Sequence, residues 1–188
     1  MSRIIILIPI LTLCALLYLQ VKTTIEKNTV NLIEAPVPYF DLEEMSFFSP
    51  GKKRISSDNL AELSDNDILM VNFFASWCTT CVLEQKQIDA LSKDHDIDII
   101  GIAYKDKPTD INRYMTKRGN PYTHIALDDK GYAAAGWRIR GTPESFFLDS
   151  SGKIRYHHKG PIREKDLTEK IIPALKAIKE TQQQGEQS

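Results

Sequence analysis

The stretch ILMVNFFASWCTTCVLE, residues 68–84, sets two cysteines at the junction of a strand and a helix. Ile68 to Phe74 is apolar apart from Asn72, rich in strand formers and about as long as a buried strand, whereas the pattern after Cys81 is helical. Cys78 and Cys81 lie within disulfide reach, and a Cys-x-x-Cys at such a boundary reads as a redox pair for thiol–disulfide exchange. At a helix N-terminus Cys78 meets unpaired backbone N–H groups and the positive end of the helix dipole, both of which favour a thiolate. Cys78 is therefore the candidate nucleophile. Cys81, one turn further in and more buried, is the candidate to attack a mixed disulfide on Cys78, release product and close the ring.

Two other uses of the pair carry less weight. A zinc site needs a second pair of ligands, and the chain has no second Cys-x-x-Cys and no His-x3-His. A purely structural disulfide closing so short a loop stabilises little through chain entropy.

Cys81, Glu84, Ile88 and Leu91 recur at i, i+3, i+7 and i+10 and share one helical stripe. Ile88 and Leu91 mark that stripe as core-facing, which puts Glu84 one turn below Cys81 as a proton acceptor for it. The competing reading is a carboxylate bent out to solvent to pair with Lys86 or Arg118.

Outward from this centre, a strand over Ile97 to Ala103, a helix over Thr109 to Lys117 and a stop at Gly119-Asn120-Pro121 complete a β-α-β unit with parallel strands and a right-handed crossover. A short strand from Thr123 to Leu127, a small helix around Tyr132 to Ala135, and a hairpin of Ser145–Leu148 with Lys153–His157 around Asp149-Ser-Ser-Gly152 follow. The last helix, Glu164 to Lys179, carries Leu167, Ile171, Ile172, Leu175 and Ile178 on one face and is interrupted by Pro173. Upstream, Phe40 to Met45 suggests a short strand and Ser57 to Leu63 a capped helical turn.

With 188 residues, 42% of them hydrophobic, and a net charge of -1, the chain fits one globular domain with extensions and argues against a nucleic-acid partner. The run IIILIPILTLCALLYL (4–19) follows Arg3 and precedes Lys22. Gln20-Val21-Lys22 is a poor exit for signal peptidase, so an uncleaved signal-anchor over residues 1–21 is expected rather than a cleaved peptide. The basic residues on its two sides are too balanced to set its orientation. Cys14 lies inside the run after Leu13, where a lipoprotein box wants a small residue, and reads as an apolar filler. Residues 22–35 form a tether, 36–180 the domain, and 181–188, Gln-rich and polar, a disordered tail.

The order β-α-β with Cys-x-x-Cys at the first helix, then a hairpin and closing helix, resembles the thioredoxin fold: an α/β domain with a central mixed sheet flanked by helices. More narrowly, Trp77-Cys-x-x-Cys-x-x-Glu84, Tyr104-Lys-Asp106, Gly119-Asn-Pro-Tyr122, Gly141-x-Pro-Glu144-x-Phe146-x-x-Asp149 and Gly152-Lys-Ile-Arg-Tyr156 with Gly160 resemble the membrane-tethered thiol:disulfide interchange proteins of cytochrome c maturation, the DsbE/CcmG family. The resemblance runs from about Pro36 to Lys179. It implies a cis bond between Thr142 and Pro143 beside the cysteines, with the Thr142 peptide group available to a substrate strand. It also implies a reductase of the apocytochrome c Cys-x-x-Cys-His site at the periplasmic face of the bacterial inner membrane, supplied with electrons by a membrane thiol reductase and needing no cofactor.

Three residues depart from the pattern. Thr79 stands where many relatives have Pro, and Arg140 where an aromatic residue or Val is common. Asn72 occupies the position at which thioredoxin has its buried Asp, so the usual proton acceptor is missing. Glu144 brings a second carboxylate towards the thiols, with a solvated strand-start residue as the even alternative. Acidic neighbours oppose a thiolate and so favour a reductant, while the helix dipole acts the other way. Trp77 is a candidate partner contact and Trp137 a core or groove-wall residue. A copper chaperone holding Cu(I) through Cys78, Cys81 and a histidine, His124 or His157, is the non-enzymatic alternative.

Overall fold

The computed structural model describes residues 13–16, 20, 32–45, 53–95 and 97–186. The chain divides into two units, Met1–Asn31 and Leu32–Ser188. In the first, residues 13–16 and Gln20 are helical, and the rest of the expected anchor lies outside the described residues. Among the described residues no helix is long and apolar enough to cross a membrane.

In the second unit, β1 (Asp41–Glu44), β2 (Arg54–Ser56), β3 (Ile68–Phe74), β4 (Asp98–Tyr104), β5 (His124–Asp128), β6 (Glu144–Asp149) and β7 (Ile154–Lys159) form one mixed sheet in the order β2-β1-β5-β4-β3-β6-β7. β3, β4 and β5 run parallel, as the expected β-α-β unit requires, and the other pairings are antiparallel. Helix α1 (Gln85–Asp94) follows a 3-10 turn at Cys81–Glu84; α2 spans Pro108–Arg118 and α3 Tyr132–Gly136. The closing helix α4 is continuous through Glu164–Asp166, a π-helical segment Leu167–Ile171 and Ile172–Glu186.

β3 is the axis of the domain. All seven of its residues are buried between β4 and β6, and alternation sends them to two cores. Ile68, Met70 and Phe74 join Ile88 and Leu91 of α1, Ile111 and Met115 of α2 and the apolar stripe of α4. Leu69, Val71 and Phe73 join Phe40, Ile55, Leu60, Ala133, Ala134 and Trp137 on the opposite face. Trp137 is thus core. The same alternation turns Asn72 towards the α1 and α4 side, where Glu84 meets it.

The structure departs from the sequence expectations at several edges. β2 was not anticipated; its three residues carry little signal and exist by pairing Asp41–Glu43 with Arg54–Ser56. Only Ala61–Leu63 of the expected helical turn is helical. Pro173 does not break α4, because the preceding turn widens: Ile172 N–H reaches back to the Leu167 carbonyl, which relieves the clash the proline ring would otherwise make. Residues 181–186, assigned on composition to a disordered tail, are helical, with Gln182 Nε2 donating to the Asp67 carbonyl and to Ser150 Oγ.

Candidate active site

The end of β3 releases the chain at Ala75, and Asp106 from beyond β4 fixes the exit. Its carboxylate accepts from Ser76 N at 2.5 Å and from Ser76 Oγ at 2.9 Å. Trp77 is left exposed, with Nε1 donating to the Lys105 carbonyl at 3.3 Å and its ring near Tyr104. Cys78 and Cys81 are joined as a disulfide across a Cα–Cα distance of 5.4 Å. The backbone N–H of Cys81 points at Cys78 Sγ, 3.1 Å away, supplying the helix-terminal donor that the sequence implied for that sulfur.

Both sulfurs belong to buried residues, Cys78 at 5% exposure and Cys81 at 2%. The cover over Cys78 comes from two threonines. The Thr142 carbonyl oxygen lies 3.4 Å from Cys78 Sγ, and Thr80 Oγ1 sits 3.3 Å from that sulfur while donating to the same carbonyl at 3.3 Å. The Thr142–Pro143 bond is cis. Thr80 received no role from the sequence; its hydroxyl two residues beyond Cys78 was the available signal.

Glu84 is fully buried. In the 3-10 turn Cys81–Glu84, residues three apart eclipse one another, so Glu84 projects from the same face as Cys81. Oε1 accepts from Asn72 Nδ2 and Oε2 from Ile162 N, both at 3.0 Å. Burial pushes this carboxyl up to about 7, against the hydrogen bonds from Ile162 and Asn72 that hold it down. Asn72 also donates to Ser145 Oγ at 3.0 Å and accepts from Tyr122 OH at 2.8 Å. In the sequence Tyr122 stands out only as the end of Gly119-Asn-Pro-Tyr122; burial, with the Glu84 charge adding to it, raises its phenol well above its ordinary value.

Glu144 follows Pro143 but engages the loop rather than the sulfurs. Oε1 accepts from Arg140 N at 2.8 Å, and Oε2 lies 2.8 Å from His157 Nε2, whose ring stacks on Phe146. Burial acts to raise its pKa, but the bonds from His157, Arg140 and Gly141 prevail and the carboxylate is held below its usual range. The histidines required by the copper reading are both engaged, His157 by Glu144 and His124, through Nδ1, by Glu44 at 2.5 Å. Among the described residues no group of three or more His, Cys, Asp or Glu side chains is placed to hold a metal ion.

A dithiol pair under a cis-proline loop, with a carboxyl of raised pKa on the inner face, can accept and return two electrons and two protons. The redoxin family model matches residues 48–172. A thiol:disulfide interchange protein DsbE of Yersinia pestis is 32% identical over 145 residues, covering 77% of this chain and 73% of that one.

The chain belongs to the DsbE-type thiol:disulfide interchange proteins of the redoxin family.

The thiol:disulfide interchange protein HelX of Rhodobacter capsulatus is 36% identical over 115 residues, 61% of this chain. The match spans 65% of the HelX length, slightly less than two thirds. A solved thioredoxin-like protein from Aeropyrum pernix superposes with a TM-score of 0.57 over 72% of this chain and 89% of its own, at 20% identity, which shows the thioredoxin-like fold. In this chain the buried carboxyl stands at Glu84, in the 3-10 turn before α1, and Asn72 on β3 serves as its hydrogen-bond donor.

Proposed function

We propose that this protein reduces protein disulfides, with the Cys-x-x-Cys-His site of apocytochrome c as substrate. It works at the periplasmic face of the bacterial inner membrane, where the apolar segment 4–19 tethers it. The observation that carries the reading is the Cys78–Cys81 pair set between the Thr142 carbonyl and the buried Glu84.

In the reduced protein, Cys78 thiolate attacks one sulfur of the substrate disulfide. The other substrate sulfur leaves as a thiolate and takes a proton from solvent. Cys81 then gives its proton to Glu84 and attacks Cys78 Sγ, so that the second substrate sulfur departs and the Cys78–Cys81 disulfide forms. Two electrons pass to the substrate, and a membrane thiol reductase restores the dithiol. Trp77 and the Thr142 peptide group contact the substrate strand beside the reacting sulfurs. Ionised Glu84 disfavours thiolate in the reduced form, which suits an electron donor.

The test uses the full chain with Cys81→Ser and an oxidised peptide bearing Cys-x-x-Cys-His. A stable mixed disulfide through Cys78, absent in Cys78→Ser, is the expected product. Failure of the variant to capture the peptide, together with a reduction potential at the strongly oxidising end, would reject the reductase reading.

A further inference from the structure

Asn72 makes three side-chain hydrogen bonds inside the core, and the one to ionised Glu84 fixes the orientation of its amide. Nδ2 spends one hydrogen on Glu84 Oε1 and the other on Ser145 Oγ, while Oδ1 accepts from Tyr122 OH. Two of these neighbours are indifferent, since the Tyr122 and Ser145 hydroxyls can each donate or accept. The amide and the carboxyl are not. A carboxylate needs an N–H before it; a carboxylic acid can instead donate to an amide oxygen.

We propose that Tyr122 is a positioning residue that donates to Asn72 Oδ1, strengthens the amide N–H aimed at Glu84, and so sets the acidity of the carboxyl on the inner side of Cys81. The inference rests on reading Glu84 as the proton acceptor for Cys81. By withdrawing electron density from the amide oxygen, the phenol makes the Nδ2 hydrogens stronger donors. Without it, Oδ1 in this orientation is a buried acceptor with no partner. Turning the amide over does not repair this, because both Nδ2 hydrogens would then face the space the hydroxyl vacated; the amide keeps its orientation as a weaker donor to Glu84, and the protonated carboxyl is favoured.

Other groups facing Glu84 do not substitute for Tyr122. The Ile162 N–H holds Oε2 and does not touch Asn72. Tyr114 of α2 also faces Glu84, with Arg118 the stronger charge acting on it, but its hydroxyl donates to Gln85 Oε1 at 3.2 Å and not to Asn72. Cys81 shares the turn with Glu84, and both it and Cys78 are uncharged in the disulfide form. Tyr122 itself is held in place by its stack on Phe74, at 4.7 Å and 21°, which phenylalanine can keep.

The experiment follows the 13C resonance of the Glu84 carboxyl against pH in the full-length oxidised protein in detergent micelles, assigned by its loss in Glu84→Gln. Tyr122→Phe is expected to raise the midpoint by about half a pH unit or more, roughly a threefold gain in proton affinity. Tyr114→Phe is expected to leave it in place. Asn72→Ala, which deletes the donor itself, raises it at least as far and covers the case in which Tyr122→Phe does not fold. The pH at half-maximal resolution of the mixed disulfide moves up with the midpoint in Tyr122→Phe. An unchanged midpoint in either folded variant, or an equal rise in Tyr114→Phe, overturns the proposal. The midpoint is read without turnover, so absence of disulfide exchange would sink the functional reading alone.

Discussion

Asn72 on β3 and Glu84 at the start of α1 are joined through Nδ2 and Oε1 at 3.0 Å, with both residues fully buried. The pair spans the interface between the sheet and the turn that carries Cys81 into α1. A carboxyl there is desolvated and, among the described residues, keeps two donors, Asn72 Nδ2 and Ile162 N–H. It therefore exchanges its proton near neutrality rather than in the acid range.

That midpoint makes both rate and stability depend on pH. Resolution by Cys81 should rise as pH passes through about 7, where Glu84 ionises. In Glu84→Gln this rise disappears and the mixed disulfide persists longer, which quench and mass analysis across pH 5–9 would read. An unaltered lifetime would remove Glu84 from the proton transfer.

The stability sign is the reverse of the usual carboxylate. Folding raises the Glu84 pKa from 4.5 to about 7, so its contribution is complete below 4.5 and is lost as pH rises through about 7. The loss is on the order of 3 kcal/mol. Urea denaturation of the oxidised protein should show this decline in the wild type and its absence in Glu84→Gln, making the variant the more stable of the two at pH 8.

Glu144 follows the opposite rule. Its carboxylate is held below 4.5 in the folded protein, so the stability it adds is present above that value and fades as pH falls through the folded pKa. Glu144→Gln weakens the bonds to His157 and Arg140 that brace the cis-proline loop. It should cost about 1.5–3 kcal/mol at pH 7, as charge-assisted bonds of this kind do, with the gap to wild type closing in acid. KM for a disulfide peptide should rise with it.

Gly101 on β4 leaves room for the Phe74–Tyr122 stack. A Cβ there would stand 2.8 Å from Phe74 Cε1 and 3.0 Å from two Tyr122 ring atoms. Gly101→Ala is expected to destabilise by about 1–3 kcal/mol through overpacking, read as a lower Tm. Because the displaced ring carries the hydroxyl bound to Asn72, the Glu84 midpoint should shift with it.

Asp106 ties Ser76, and with it the Trp77–Cys78 segment, to the end of β4. Asp106→Ala frees that segment. KM for a disulfide peptide is expected to rise several-fold with a smaller change in kcat, since Glu84 and Cys81 stay in place. Equal losses in both constants would mean that the segment acts on the chemical step.

The main elements around the cysteines could be read from local pattern alone. The apolar run Ile68–Phe74 matches β3 residue for residue, and the stripe Cys81, Glu84, Ile88, Leu91 is buried along its whole length. Period and apolarity suffice there, because a residue facing the core announces itself by its spacing. The cis-proline loop needed a family pattern as well, since Thr142-Pro143 by itself does not distinguish the two isomers.

What the chain determined by itself was the redox pair, the inward carboxyl and the sheet axis, all set by residues within one helical turn or one strand of each other. Tertiary structure alone decided who satisfies that carboxyl: Asn72 from β3, Ile162 from beyond β7, and Tyr122 through Asn72. It also decided that Glu144 braces Arg140 and His157, and that a Gln-rich segment stays helical because Gln182 finds Asp67 and Ser150. These partners lie tens of residues apart for the most part. Their meeting is fixed by strand register and packing rather than by local composition, because a buried polar group must find its partner wherever the fold delivers one.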